Sequence, residues 1–318
     1  MKLLVGAGGW AYFRVEGISS LEAYSRAFDF VEVNSTFYEK PSLQLVKSWR
    51  RRVPRNFEFS VRCHKDVTHT YKLEPINEVF DVFETMEEVC SLLNSHFLVL
   101  VTPSTLTFTP KKIASIRALL NGLNLNGVRL VWEVRRRTNE VLSPRIISLM
   151  QDYNVVPCVD LSREDPVADS DTLYSRVFGK GEHNLYQFTD EELVEVDRRI
   201  MREERDEAVI SFHNVKMYKD AARYKLFKQR KRFPSVTGVT GQQSLTKVLM
   251  EDTTFPVTKQ ELVKTQGWKV IDLTRTKRTH AHVLLERLPD RCFRCIEEVI
   301  ISLPKNDQSS VLSERDPK

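Results

Sequence analysis

Charged, amide and imidazole side chains recur at alternating positions of short apolar runs in this 318-residue chain. In FVEVNS (30–35), Glu32 and Asn34 alternate with Val31 and Val33. In FEFSVRCH (57–64) Arg62 and His64 alternate, and in LVWEVR (130–135) Glu133 and Arg135 do so. Asp160 lies at the end of VVPCVDL, Arg176 lies in TLYSRVFG, and His213 and Asn214 close EAVISFHN. Carboxylates and imidazoles are the common proton carriers of acid–base catalysis, and guanidinium forks match the oxygens of phosphate. The set suits a hydrolase acting on a phosphate-containing substrate, a nucleic-acid phosphodiester or a nucleotide. Glu32 or Glu133 is then the general base, His64 or His213 the general acid, and Asp160 a further catalytic carboxylate. Arg62, Arg135 and Arg176 bind the anion, with Asn34, His69, Asn214 and the loop aromatics Trp10 and Tyr38 lining the substrate.

Mixed oxygen and imidazole donors also suit zinc or manganese, so a divalent metal on Glu32, Glu133, Asp160 and a histidine is a candidate cofactor. No two of these residues have a ligand spacing local in sequence. A different class of function is a protein that binds an anionic ligand or nucleic acid without turning it over. A glycosidase using Glu32 and Glu133 is a third, to be judged by carboxyl separation, about 5–5.5 Å for retention and about 6.5–9.5 Å for inversion. The arginines favour an anion over a neutral sugar.

Alternation of this kind belongs to strands, in which successive side chains face opposite sides. Strand-length runs near 3–8, 30–35, 57–63, 96–103, 128–135, 155–161, 172–179 and 207–214 are separated by helix-period segments at most of the junctions. Eight strands with crossover helices in the first part of the chain are the arithmetic of a TIM-type (β/α)8 barrel. One face of each strand then meets the helices and the other meets the barrel axis. Polar groups near strand ends on the axial face would converge at the mouth, which explains a carboxylate such as Glu32 in an otherwise apolar strand. GAGGWA (6–11) fits the outline of a dinucleotide fingerprint, with Glu32 further on. Helical periodicity begins only at Ser19, however, too late to aim amide groups at a pyrophosphate.

The composition is that of a globular chain, with 41% hydrophobic and 29% charged residues. Five cysteines, with no signal-peptide pattern and no membrane-length apolar run, predict a cytoplasmic protein with reduced thiols and no membrane partner. Cys292 and Cys295 could form half a zinc site, but no second ligand pair lies beside them. The net charge of +5 is uneven: residues 1–228 hold 32 basic and 32 acidic side chains, and residues 229–318 hold 16 and 11. This predicts a barrel over 1–232, a small basic helical domain over 233–303 with scope for nucleic-acid contact, and a disordered tail over 304–318.

The motifs VEVNSTFY (31–38), FEFSVRCHKDVTH (57–69), WEVR (132–135), LYSRVFGKG (173–181) and VISFHNVKMYKDAARYK (209–225) resemble, in order, those of the YecE-like family. The resemblance covers about residues 1–228 and implies a TIM-type barrel, with no settled reaction. The chain departs from the family pattern at Leu100, at Phe178-Gly179 and at His213-Asn214, so a histidine is lost from the seventh strand and one gained on the eighth. The segment from Phe255 to Ile300 is similar to a small helical module of unassigned function.

Overall fold

The computed structural model of the protein describes residues 1–137, 140–166, 170–202 and 204–304. Eight parallel strands close into a barrel in chain order, β1 (Lys2–Ala7), β2 (Phe30–Val33), β3 (Glu58–Arg62), β4 (Phe97–Thr102), β5 (Arg129–Val134), β6 (Val156–Val159), β7 (Thr172–Val177) and β8 (Glu207–Phe212). Pairing of β8 with β1, from Lys2 opposite Glu207 to Ala7 opposite Phe212, completes the ring. The connecting helices are α1 (Ser20–Ala27), α2 (Leu43–Arg51), α3 (Asn77–Leu93), α4 (Pro110–Gly122), α5 (Pro144–Asp152) and α6 (Asp190–Met201), with α7 (Met217–Arg230) after β8. Among the described residues no helix joins β6 to β7; Val167 to Asp169 of the polar segment read there lie outside them.

Local chemistry sets the helix ends. Ser42 accepts the Leu45 amide (3.3 Å), and Thr109 accepts that of Lys112 (3.2 Å) with Pro110 at the first helical position. Asn94 ends α3 in the left-handed region, at φ 54°. The seam between β1 and β2 is short, and Tyr24 reinforces it. Its hydroxyl accepts the Ala7 amide (2.8 Å) and donates to the Phe30 carbonyl (2.9 Å). Gly6 permits this approach, because a Cβ there would stand 2.8 Å from the Tyr24 hydroxyl and 2.1 Å from the Phe30 oxygen.

Two stretches expected to be loops have more structure. Asp66–Thr70 forms a π-helical turn, and Ser35–Phe37 a 3-10 turn. The outline of a dinucleotide site does not hold. Trp10 to Ile18 are turns with an isolated Val15–Ile18 bridge, and α1 opens at Ser20.

The chain divides into two compact units, the barrel unit Met1–Gly179 with Glu195–Lys225, and a second unit of Lys180–Val194 and the chain from Leu226 on. The second unit thus begins before the expected boundary at 233 and takes in the segment after β7. The Val270 amide donates to Gln187 Oε1 (2.9 Å), and Arg278 pairs with Asp190 (2.8 Å). It is mixed rather than wholly helical. α8 (Gln242–Leu249), α9 (Lys259–Gln266), α10 (His282–Leu285) and α11 (Ile296–Ile301) accompany two antiparallel pairs, β9 (Val257–Thr258) with β12 (Cys292–Phe293) and β10 (Val270–Asp272) with β11 (Arg278–His280). In TRTKRTHAHVLLERL, which reads as one helix in the sequence, the first half is a strand and its turn and only His282–Leu285 is helical. β-branched threonines disfavour a helix there, and the Thr274 hydroxyl accepts the Lys277 amide (3.0 Å) to close the turn. Leu245, Leu249, Leu262, Ile271, Leu285, Phe293 and Val299 form its core. Asp272 is its polar hub. It accepts the Val236 and Thr237 amides, the Ser235 and Thr237 hydroxyls and Arg278 Nε. The tail expected to be disordered lies outside the described residues from 305 on.

Candidate active site

The axial face of every strand can be read by parity. Leu4, Phe30, Phe97, Val131, Val156, Tyr174 and Val209 belong to one buried cluster inside the ring. Side chains two positions further along share their face: Glu32 after Phe30, Glu133 after Val131, Arg176 after Tyr174, Ser211 after Val209. Arg62 follows Ser60, whose hydroxyl lies 2.6 Å from that of Tyr174. The apolar layer therefore gives way to a polar one toward the carboxyl ends of the strands, where barrel enzymes hold their chemistry.

Arg176, 2% exposed, is the centre of that polar layer. Its Nε donates to Glu32 Oε1 (3.1 Å) and lies 3.3 Å from His213 Nε2, while its Nη1 pairs with Glu133 Oε2. The second oxygen of Glu32 accepts from the Tyr174 hydroxyl (3.0 Å), and that of Glu133 from Arg135 Nε (2.9 Å). His213 Nε2 also lies 3.0 Å from Ser211 Oγ and 3.5 Å from Glu32 Oε1. Its Nδ1 is 3.5 Å from the Asn34 amide nitrogen, which donates to the Gly8 carbonyl (2.9 Å). Phe178 covers the imidazole, with ring centres 5.0 Å apart.

Electrostatics follow from this packing. Burial raises the Glu32 carboxyl, but Arg176, then His213 and Arg62, outweigh it and hold the group well below the usual carboxylate range. Burial likewise opposes, and Arg176 and Arg135 reverse, the shift at Glu133, which is also lowered. Burial and the Arg176 charge lower His213, so it is neutral at neutral pH and unsuited to the expected acid role. Arg176 is raised, because the two carboxylates outweigh its burial.

Glu32 and Glu133 compensate Arg62 only in part. It is 6% exposed, its Nη1 donates to Asn34 Oδ1 at 3.4 Å, and its guanidinium lies 3.7 Å from the centre of the Phe37 ring. Its buried Nε has no hydrogen-bond partner among the described residues. Burial, then repulsion from Arg176, lowers it to about 10. His69 packs edge-on to Phe37 at 5.2 Å and is lowered by burial, then by Arg135 and Arg62, which places it on the same side of the mouth.

Other expected site residues make their contacts outside the Arg176 network. Asp160 Oδ1 accepts the amide and hydroxyl of Ser162 (2.9 and 2.6 Å), and Oδ2 the Phe178 amide (3.2 Å), tying the end of β6 to that of β7. Burial lifts its carboxyl to about 6 against these hydrogen bonds. His64 Nδ1 lies 3.2 Å from Asp66 Oδ2 in the π turn, and among the described residues no ion pair joins it to Glu32 or Glu133. Asn214 donates to Asp220 (2.7 Å), which pairs with Arg223 in α7. Trp10 packs edge-on to Trp49 and Phe59, and exposed Tyr38 packs on Phe37. Tyr174, Ser60 and Ser211 are parts of the network that the sequence reading left out.

A divalent metal does not fit this donor set. Arg176 already supplies the positive charge between Glu32 and Glu133, and all four of their oxygens accept from protein donors. Among the described residues no three histidine, cysteine or acidic side chains gather as ligands, Cys292 and Cys295 included. The glycosidase reading also weakens, since both carboxyls are held ionised and neither can serve as the acid.

Fold and mouth together define a TIM-type barrel protein whose carboxyl-end rim carries a compact ionic network. The chain belongs to the family described as Protein of unknown function DUF72, whose model matches residues 4–236. It is similar to the UPF0759 protein YecE of Escherichia coli (strain K12), at 29% identity over 108 residues. That match spans 34% of this chain and 38% of the length of that relative. Crystal structures of DUF72 family proteins from Enterococcus faecalis and Thermotoga maritima share the fold, each at TM-score 0.56 over 72% of this chain. They are 18% and 19% identical, with 97% and 100% of their own chains covered. Among the described residues no helix is long and apolar enough to cross a membrane.

Proposed function

We propose that the barrel is a hydrolase of a phosphate-bearing substrate, a phosphodiester or a nucleotide. The observation that carries this reading is Arg62, a buried guanidinium with an unused donor at the edge of the Glu32–Arg176–Glu133 cluster. Burying such a donor without a partner is costly, and a phosphate oxygen supplies the missing acceptor. Arg135, 45% exposed and attached to Glu133 by one hydrogen bond, is the second anion ligand. Its transfer to the substrate frees Glu133 Oε1 and makes that carboxylate more basic. Glu133 then takes the proton of the attacking water as its oxygen adds to phosphorus. The bond to the leaving oxygen breaks, and that oxygen is protonated from solvent. Glu32, Arg176, Tyr174 and His213 act as positioning residues beneath.

A second reading, binding without turnover, is favoured by Phe178, which covers the only imidazole in the network. A screen of phosphodiesters and nucleotides against the wild type, Arg62→Gln and Glu133→Gln separates the two. Hydrolysis is expected in the wild type, with a raised KM in Arg62→Gln and a kcat lower by about 100-fold or more in Glu133→Gln. Ligand recovered intact, with thermal stabilisation that Arg62→Gln abolishes, selects binding. Activity that Glu133→Gln leaves unchanged refutes the assignment.

A further inference from the structure

We propose that the second unit binds single-stranded nucleic acid in a cavity of about 650 Å³ lined by Arg230, Arg232, Phe233, Ser235, Arg275 and Thr276. Arg230, Arg232 and Arg275 are exposed, and no ion pair engages them among the described residues. Arg278, buried in the lining, contributes no surplus, because Asp190 (2.8 Å) and Asp272 (3.0 Å) both pair with it. The free charge of the cavity thus comes from the three exposed arginines of its lining, which outweigh the one excess carboxylate of the Asp190–Arg278–Asp272 group. Exposed Lys231 and Lys277 continue the positive strip beside them. A mononucleotide would satisfy only part of that strip, whereas a strand presents phosphates in series.

The wall is held in place before binding. Asp272 fixes Ser235, Val236 and Thr237 through their amides and hydroxyls. Phe233 is stacked on Phe227, with ring centres 4.4 Å apart and planes 4° from parallel. Cationic grooves with an aromatic platform bind single strands by combining phosphate contacts with base stacking. The inference stands apart from the barrel reading and shares no residue with it.

The test is fluorescence anisotropy of a labelled oligothymidylate with the full chain across a salt series. In the variant carrying Arg230→Gln, Arg232→Gln and Arg275→Gln, affinity at low salt should fall by about tenfold or more. The slope of log K against log salt should lose about 2, at about 0.7 per phosphate contact. Phe233→Leu should weaken binding without changing that slope. No native ion pair is removed in the triple variant, so its thermal midpoint should match the wild type, and Arg275→Gln alone gives an independent reading. Binding by the triple variant equal to wild type overturns the proposal. So does complete displacement of the strand by equimolar nucleoside triphosphate or inorganic phosphate.

Discussion

Replacing Arg176 by methionine tests the centre of the network most directly. The substitution keeps much of the stem volume and removes the charge that stands between Glu32, which is 0% exposed, and Glu133. Removing one partner of a buried ion pair costs about 3–5 kcal/mol, because the remaining charge has lost its compensation. For a unit of this size each kcal/mol is worth about 2–4 °C, so the thermal midpoint should fall by roughly 10 °C. The pH dependence should change sign as well. In the wild type both glutamates are lowered, so their contribution is present above the unfolded value of about 4.3 and is lost as pH falls. Without Arg176, burial dominates at Glu32 and raises it above that value, so the variant gains stability as pH falls from neutral. The gap to wild type therefore narrows in mild acid. Urea denaturation at mildly acidic and alkaline pH measures both effects, and adding Glu32→Gln should restore part of the loss. A cost below about 1 kcal/mol with an unchanged pH slope would place this pair with weak surface bridges and refute the argument.

Two further outcomes follow from the mouth. In Gly8→Ala the new Cβ would lie 2.4 Å from His213 Nδ1 and 2.6 Å from Asn34 Nδ2. It should cost about 1–3 kcal/mol in chemical denaturation and shift the His213 ring resonances; wild-type stability and spectra would contradict the packing described. Asp160 should titrate at about 6 in a carbon-13 carboxyl NMR experiment. Because its folded value is raised above 3.8, its contribution to stability is greatest below 3.8 and declines as pH rises through about 6. A midpoint near the ordinary aspartate value would remove burial as the dominant influence.

Much of this arrangement is legible in the sequence because a strand's period of two survives closure into a barrel. Glu32, Arg62, Glu133, Arg176 and His213 all stand out as polar groups on one parity. The same parity held the missed partners, since Ser60, Tyr174 and Ser211 each lie two residues before a residue that was recognised. Hydroxyls in strands are common enough to pass unnoticed, and only the ring of neighbours shows that they join the network around Arg176. His64 shares the parity of Arg62, but the π turn draws it to Asp66, an event without a periodic signature. Asn214 illustrates the same limit, as its partner Asp220 becomes close only once α7 has formed. In the second unit β10 and β11 are three residues each, too short for alternation to separate them from a helix turn.

The short β1–β2 seam has a consequence for the mouth. Only two residue pairs join these strands, and a phenol side chain supplies part of the backbone bonding that a longer ladder would provide. Gly8 and Asn34, which hold one edge of His213, continue directly from the two strands of that seam. This short joint thus adjoins the charged rim, so a fluctuation there would loosen the imidazole and the Asn34–Arg62 link before it reached Arg176.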